Sequence, residues 1–168
     1  MKRFSKKGFT LIEILVVLAI IGVLASIIIV SVNTTTKKAN NAKVKAQLEQ
    51  ARNAAQIYYT SNLHYGKAGS GDNSCDDGTP GPNADNMFDD TVSNMDFIVK
   101  QSNYPSNTAI SCRSNATGGA DADEYAVSAT LTGGSSGALP NADNWCVDST
   151  GFSNAIADPL NNNDTTCQ

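Results

Sequence analysis

The chain has 168 residues, 40% of them hydrophobic and 17% charged, with a formal net charge of −4 and one histidine. That length holds one long apolar helix and one modest domain, not two independent cores. The acidic balance argues against direct nucleic-acid binding, since phosphates reward basic patches, and a single histidine with no nucleophile elbow or phosphate loop leaves no catalytic constellation.

The N-terminal segment begins with Lys2, Arg3, Lys6 and Lys7, continues as Gly8-Phe9-Thr10-Leu11-Ile12-Glu13, and enters an apolar run over 14–32. The run is of membrane length. It exceeds the 7–15-residue apolar region of a secretory signal peptide, and no small-residue cleavage site ends it. Because the four basic residues precede Gly8, the positive-inside rule keeps the N-terminus cytoplasmic. The eight remaining basic residues face sixteen acidic ones, so a chain cut there would be strongly acidic. A carboxylate deep in a bilayer costs about 2.5–3.5 kcal/mol, so Glu13 needs a partner. Lys6 and Lys7 stand near it in the uncut chain. A cut between Gly8 and Phe9 would create an α-amine about one helical turn before Glu13, in the same chain or in a neighbour.

Residues 6–32 resemble the class III leader and N-terminal helix of type IV pilins and of the pseudopilins of type II secretion. The resemblance makes Gly8 the last leader residue, Phe9 the first and N-methylated mature residue, and Glu13 the carboxylate that sets register between subunits. It implies an α+β, type IV pilin-like fold, with a long N-terminal helix packed on a small three- to four-stranded antiparallel sheet. The implied role is structural, a pilus subunit serving adhesion, motility or DNA uptake; the residues themselves point to no enzyme, cofactor or metal. Its implied partners are copies of itself in a helical homopolymer, a prepilin peptidase, the pilus assembly platform and minor pilins. The chain would cross the inner membrane once before assembly and then stand in a surface pilus. The alternatives are a type II secretion pseudopilin and a non-polymerising, membrane-anchored binding module. One departure is that no proline bends the helix where most type IV pilins carry one; either Gly22, the β-branched residues 27–30 and Asn33-Thr34-Thr35-Thr36 weaken it, or it runs as one continuous, gently curved helix.

Glycine and proline set the remaining boundaries. From Phe9 to Tyr65 there is one glycine and no proline, whereas all five prolines follow. The expected division is a leader over 1–8, a transmembrane or filament-core helix over 9–32, its amphipathic continuation over 33–62 and a head over 63–168. Val44, Leu48, Ala51, Ala55 and Tyr58 recur at helical spacing and form the face that packs beneath the head. Residues 66–94 read as a surface loop with little core of its own. Strands are expected over 97–100, 108–113, 124–131 and 145–149, with Thr132-Gly133-Gly134-Ser135-Ser136-Gly137 as a hairpin connection. The alternation in 125–131 is that of a half-buried strand, and the polar tail from Gly151 reads as loop.

Four cysteines, none in a CxxC pair, fall in the second part and predict two disulfides in an exported domain. Three pairings are open. The favoured one joins Cys75–Cys112, tying the long loop to the sheet, and Cys146–Cys167, which resembles the disulfide-bounded C-terminal loop of many type IV pilins. The acidic groups Asp72/Asp76/Asp77 and Asp121/Asp123/Glu124 lack EF-hand spacing and read as solvated loop charges. His64 is expected to meet helix carbonyls or solvent, and Tyr58, Tyr59 and Tyr65 to pack helix against head. Asn33, Asn115 and Asn163 are formal sequons without an implied glycan.

Overall fold

In a computed structural model of the chain, the described residues are 8–66, 75, 86–115, 120–132, 143–161 and 164–167, without the side chains of 28–30. The leader residues 1–7, the Asp72/Asp76/Asp77 group, the 133–137 connection and Asn163 lie outside them. Two compact units divide the chain, 1–37 and 38–168. One helix, α1 (Leu11–Asn62), contributes to both.

In the first unit every described side chain of α1 is exposed. The run is helical because it lacks proline, and because its leucine, alanine and isoleucine side chains can stack at 3.6-residue spacing. Its few hydroxyls turn back on the helix: Ser26 Oγ donates to the Val23 carbonyl at 2.7 Å and Thr35 Oγ1 to that of Ser31 at 2.9 Å. Polar groups satisfied in this way are compatible with lipid. By length and composition the helix can cross a membrane.

The second unit is built on the α1 face that carries Val44, Leu48, Ala51, Ala54, Ala55 and Tyr58, all buried. Against it lies a four-stranded antiparallel sheet in the order β1 (Ile110–Ser114), β2 (Tyr125–Thr130), β3 (Asn144–Asp148) and β4 (Ser153–Ile156). In register, Cys112 faces Val127, Val127 faces Val147, and Val147 faces Ser153. Tyr125, Val127, Ala129 and Val147 join the helix face in the main core. Polar edges fix the same docking. Lys43 Nζ donates to the Asn103 carbonyl at 2.9 Å, Ser153 Oγ donates to Glu49, and Lys45 Nζ lies 4.0 Å above the Trp145 ring.

Four expectations are corrected. Residues 97–100 are not a strand: α2 (Met95–Ile98) stands there, followed by Val99. Asn94 in the left-handed region starts the turn, and the Val99 N–H donates to the Met95 carbonyl at 2.9 Å. Residues 66–94 do contribute to the core, since Met87 and Phe88 are fully buried on a short 3-10 helix, Met87–Asp89. The tail from Gly151 is not all loop, because 153–156 form β4. Nor is β2 half-buried: Tyr125–Ala129 are buried throughout. Its second face is covered by a smaller cluster of Ala126, Cys146, Ile156, Leu160 and Cys167, with Phe152 beside it.

Candidate assembly and processing site

Gly8, Phe9 and Thr10 precede α1 without regular structure, and all three are exposed. A Cβ built on Gly8 would meet no heavy atom within 4 Å. Among the described residues, then, no packing demands glycine there; Phe9 is 83% exposed beside it.

Thr10 and Glu13 are joined in a way the sequence reading missed. The Thr10 N–H and hydroxyl each donate to Glu13 Oε2 at 2.8 Å, while the Glu13 N–H donates to Thr10 Oγ1 at 3.4 Å. This is a reciprocal capping box, which satisfies backbone donors that a helix N-terminus leaves open. Its signal was present as Thr-x-x-Glu ahead of an apolar run. From Leu11 to Ile27 the apolar side chains that follow are exposed.

The four cysteines lie in the second unit. Cys75 is bonded to Cys112 of β1, and Cys146 of β3 to Cys167, with Cα atoms 5.0 and 5.8 Å apart. Beside the second bridge lies a cleft of about 480 Å³ lined by Phe152, Asn154, Ile156 and Thr166. The buried Asp148 at its edge is saturated by donors from Thr150, Phe152 and Cys167.

His64 does not meet the helix carbonyls. Asn62 Nδ2 donates to the Tyr58 carbonyl at 3.0 Å and the Leu63 N–H to that of Tyr59 at 2.7 Å, while the His64 ring packs edge-on to Tyr58. The Tyr59 ring lies tilted against Tyr65 and Tyr65 meets Tyr125 edge-on, so the tyrosines carry helix-to-head packing. In the acidic group, Asn115 Oδ1 accepts the Asp123 and Glu124 N–H groups, and Thr165 Oγ1 donates to Glu124 at 2.7 Å. Among the described residues no group of three or more His, Cys, Asp or Glu is placed to hold a metal ion.

Residues 3–29 match the family model described as the prokaryotic N-terminal methylation motif. The chain is 39% identical over 61 residues to the type II secretion system core protein G of Escherichia coli, covering 36% of this chain and 42% of that protein. It is 42% identical over 61 residues to the type IV wide pilus major component PilA4 of Thermus thermophilus, covering 36% and 47%. A type II secretion system core protein G of Klebsiella michiganensis is 37% identical over 65 residues, covering 39% and 46%. The chain thus spans less than half the length of the relatives it matches. No solved structure matches it. The chain carries the prokaryotic N-terminal methylation motif, is similar over its N-terminal third to type II secretion core proteins G and to the pilin PilA4, and has a long helix and a four-stranded antiparallel sheet.

Proposed function

We propose that the chain is a structural subunit of a type IV pilus. It inserts in the inner membrane, is cut after Gly8 by a prepilin peptidase, is N-methylated at Phe9, and polymerises into a surface filament. The observation that carries this reading is an apolar helix exposed on all its described sides and opened by a capped carboxylate. Lipid covers such a helix before assembly, and copies of the same helix cover it afterwards. Freedom from packing at Gly8 supports a glycine required from outside, as a peptidase subsite would require it.

Polymerisation supplies Glu13 with a partner. The Phe9 amine of one copy pairs with Glu13 of the next, a four-residue offset, or about 6 Å along parallel helices. Residues 1–8 are then the leader, 9–32 the filament core, 33–62 the amphipathic continuation and 63–168 the outer head. The pilus assembly platform and minor pilins are the other partners, and the head carries adhesion, motility or DNA-uptake roles. The C-terminal segment bounded by Cys146–Cys167 supports the pilus reading, as does the similarity to PilA4. Similarity to the G proteins supports a second reading, a type II secretion pseudopilin.

Shearing the cell surface and measuring the intact mass and N-terminal peptide of the chain tests this. Abundant filament protein beginning at Phe9 is the expected result. A chain cut at the same bond but confined to the membrane would favour the pseudopilin. An intact leader would overturn both readings.

A further inference from the structure

The end of α1 and the segment that returns beside it enclose a small pocket within 38–168. Its walls include Ile57, Ser61 and Asn62 of the helix and Asp90, Val92 and Ser93 of the returning segment. The fully buried Met87 and Phe88 anchor that segment just before Asp90, whose carbonyl accepts the Asp96 N–H at 3.3 Å. The pocket holds about 200 Å³. That is less than the about 300–1,000 Å³ of a site for a drug-sized molecule, and suits a ligand the size of one side-chain end.

Ser93 is only 6% exposed, yet its Oγ has no hydrogen-bond partner among the described residues. A buried hydroxyl in that state costs free energy until something in the pocket bonds to it. Beside it stands a carboxylate: Asp90 Oδ2 accepts the Ser93 N–H at 2.6 Å, and Asp90 makes no ion pair among the described residues. The rim is apolar. Ile57 and Val92 are 54% and 85% exposed, so an aliphatic group lying over them would be drawn out of water.

We infer that this pocket binds a primary ammonium group carried on an aliphatic stem. An ammonium offers three donors, and Asp90 Oδ1, Ser93 Oγ and Ser61 Oγ are the acceptors, with Ile57 and Val92 against the stem. Ser61 Oγ gives its own proton toward the Ile57 carbonyl at 3.5 Å and so presents lone pairs to the pocket. Asp90 repels an anion. A guanidinium gains most from both oxygens of a carboxylate, and here Oδ2 already serves Ser93. A metal ion asks for more charge than one carboxylate, and among the described residues no group of three or more His, Cys, Asp or Glu is placed to hold one. A free alkylamine and the lysine side chain of a partner peptide share the required chemistry. The site lies wholly inside the head unit, so it stands or falls independently of the filament reading.

Titrating the isotope-labelled full chain in non-ionic detergent with n-butylammonium chloride, at constant ionic strength, tests the site through its amide shifts. Saturable shifts at Asp90, Ser93 and Asn62 are expected, with a Kd in the millimolar range. n-Butanol, which keeps the stem and loses the charge, should not produce them. Absence of saturable shifts, as when water or a lysine of the same chain fills the pocket, would overturn the inference. So would equal binding of n-butanol, tighter binding of n-butylguanidinium, or saturation by calcium chloride in place of the amine. Asp90→Asn keeps an acceptor for the Ser93 N–H, removes the charge, and is expected to weaken binding at least about tenfold. Ser93→Ala is expected to weaken it several-fold without lowering the urea midpoint, because the lost hydroxyl has no partner among the described residues. A lowered midpoint with unchanged binding would place Ser93 in the fold alone and overturn its role. Nα-acetyl-lysine N-methylamide separates the two sources: tighter binding than n-butylammonium assigns the pocket to a lysine of a partner peptide, weaker binding to a free alkylamine, and either upholds the site.

Discussion

Thr10 and Glu13 cap each other across the first turn of α1, with both Thr10 donors on Glu13 Oε2 at 2.8 Å. A carboxylate held in this way has partners within its own chain, which would ease the entry of such a helix start into lipid. The box uses Oε2 alone, so a neighbour's amine can approach Oε1 without breaking it. Under the proposed function, one side chain therefore orders the helix start and remains usable for register.

Cap and charge can be separated by substitution. Glu13→Gln retains a carbonyl that can accept from Thr10 but removes the charge, whereas Glu13→Ala removes both. Cleavage after Gly8 is expected to survive in each variant, because the bond lies outside the box. Filament yield is expected to fall at least about tenfold in both, the scale of removing one partner of a desolvated charge pair. N-terminal peptide mass and sheared yield measure the two steps. Normal assembly of Glu13→Gln would leave the cap as the only role of this side chain.

Asp148 is a second hub, and a purely structural one. Its Oδ1 accepts from the Thr150 N–H at 2.9 Å, the Thr150 hydroxyl at 2.6 Å and the Phe152 N–H at 3.1 Å; Oδ2 accepts from the Cys167 N–H at 2.9 Å. It thus ties the β3–β4 turn to the C-terminal segment while only 2% exposed. Asp148→Asn must turn an amide NH2 toward one of these donors, at a cost of about 1–3 kcal/mol. Urea unfolding of the full chain in detergent, followed by Trp145 fluorescence, is expected to show an earlier midpoint. An unchanged midpoint would show the hub to be dispensable.

This turn also explains why part of the fold was hidden in the sequence. The helix is legible because Val44, Leu48, Ala51, Ala55 and Tyr58 repeat at the period that buries them. Ser153-Asn154-Ala155-Ile156 has weak strand propensity and becomes β4 only because Asp148, with Gly151 at φ +90, folds the chain back on β3. Ile98 and Val99 look like strand residues, yet the left-handed Asn94 and the Met95–Val99 hydrogen bond make them a helical turn. Met87 and Phe88 were masked by polar neighbours, although two large apolar side chains in such a segment are a signal of burial. At the assembly site, the Thr-x-x-Glu box was readable in principle, since its spacing alone defines it.

The disulfides should differ in what they stabilise. Cys75–Cys112 closes the longer loop, a separation of 37 against 21, which in a loop-entropy account favours it by only about 0.5 kcal/mol. Both sulfurs of the second bridge belong to buried residues in the outer-face cluster, whereas Cys75 is half-buried. Serine thus replaces two buried sulfurs at Cys146 and Cys167 but one, that of Cys112, in the first bridge, so the second pair is expected to lower Tm more. Each loss should be of the order of 2–4 kcal/mol. Thermal unfolding of the full chain in detergent, with and without reductant, checks both points. Equal Tm with and without reductant would refute a stabilising role for either bridge.

Alkaline pH provides a separate probe of the core. Tyr104 and Tyr125 are 6% and 2% exposed, and burial pushes both phenols well above their usual range, with Tyr65 adding to the shift at Tyr125. A folded-state pKa raised above the unfolded value of about 10 gives stability that is complete below that value and is lost as pH rises toward the folded pKa. In this window the unfolded chain releases protons that the folded chain retains, so each phenol lowers stability by about 1.4 kcal/mol per pH unit. Tyr104→Phe removes one of them. Because the Tyr104 hydroxyl has no hydrogen-bond partner among the described residues, the change should cost little at pH 7 and leave a shallower alkaline decline. Urea midpoints for both chains between pH 8 and about 11.5 measure the difference. Lysine and exposed tyrosine titration contributes equally to the two chains and cancels in the comparison. Parallel declines would mean that Tyr104 ionises as readily folded as unfolded, contradicting its burial.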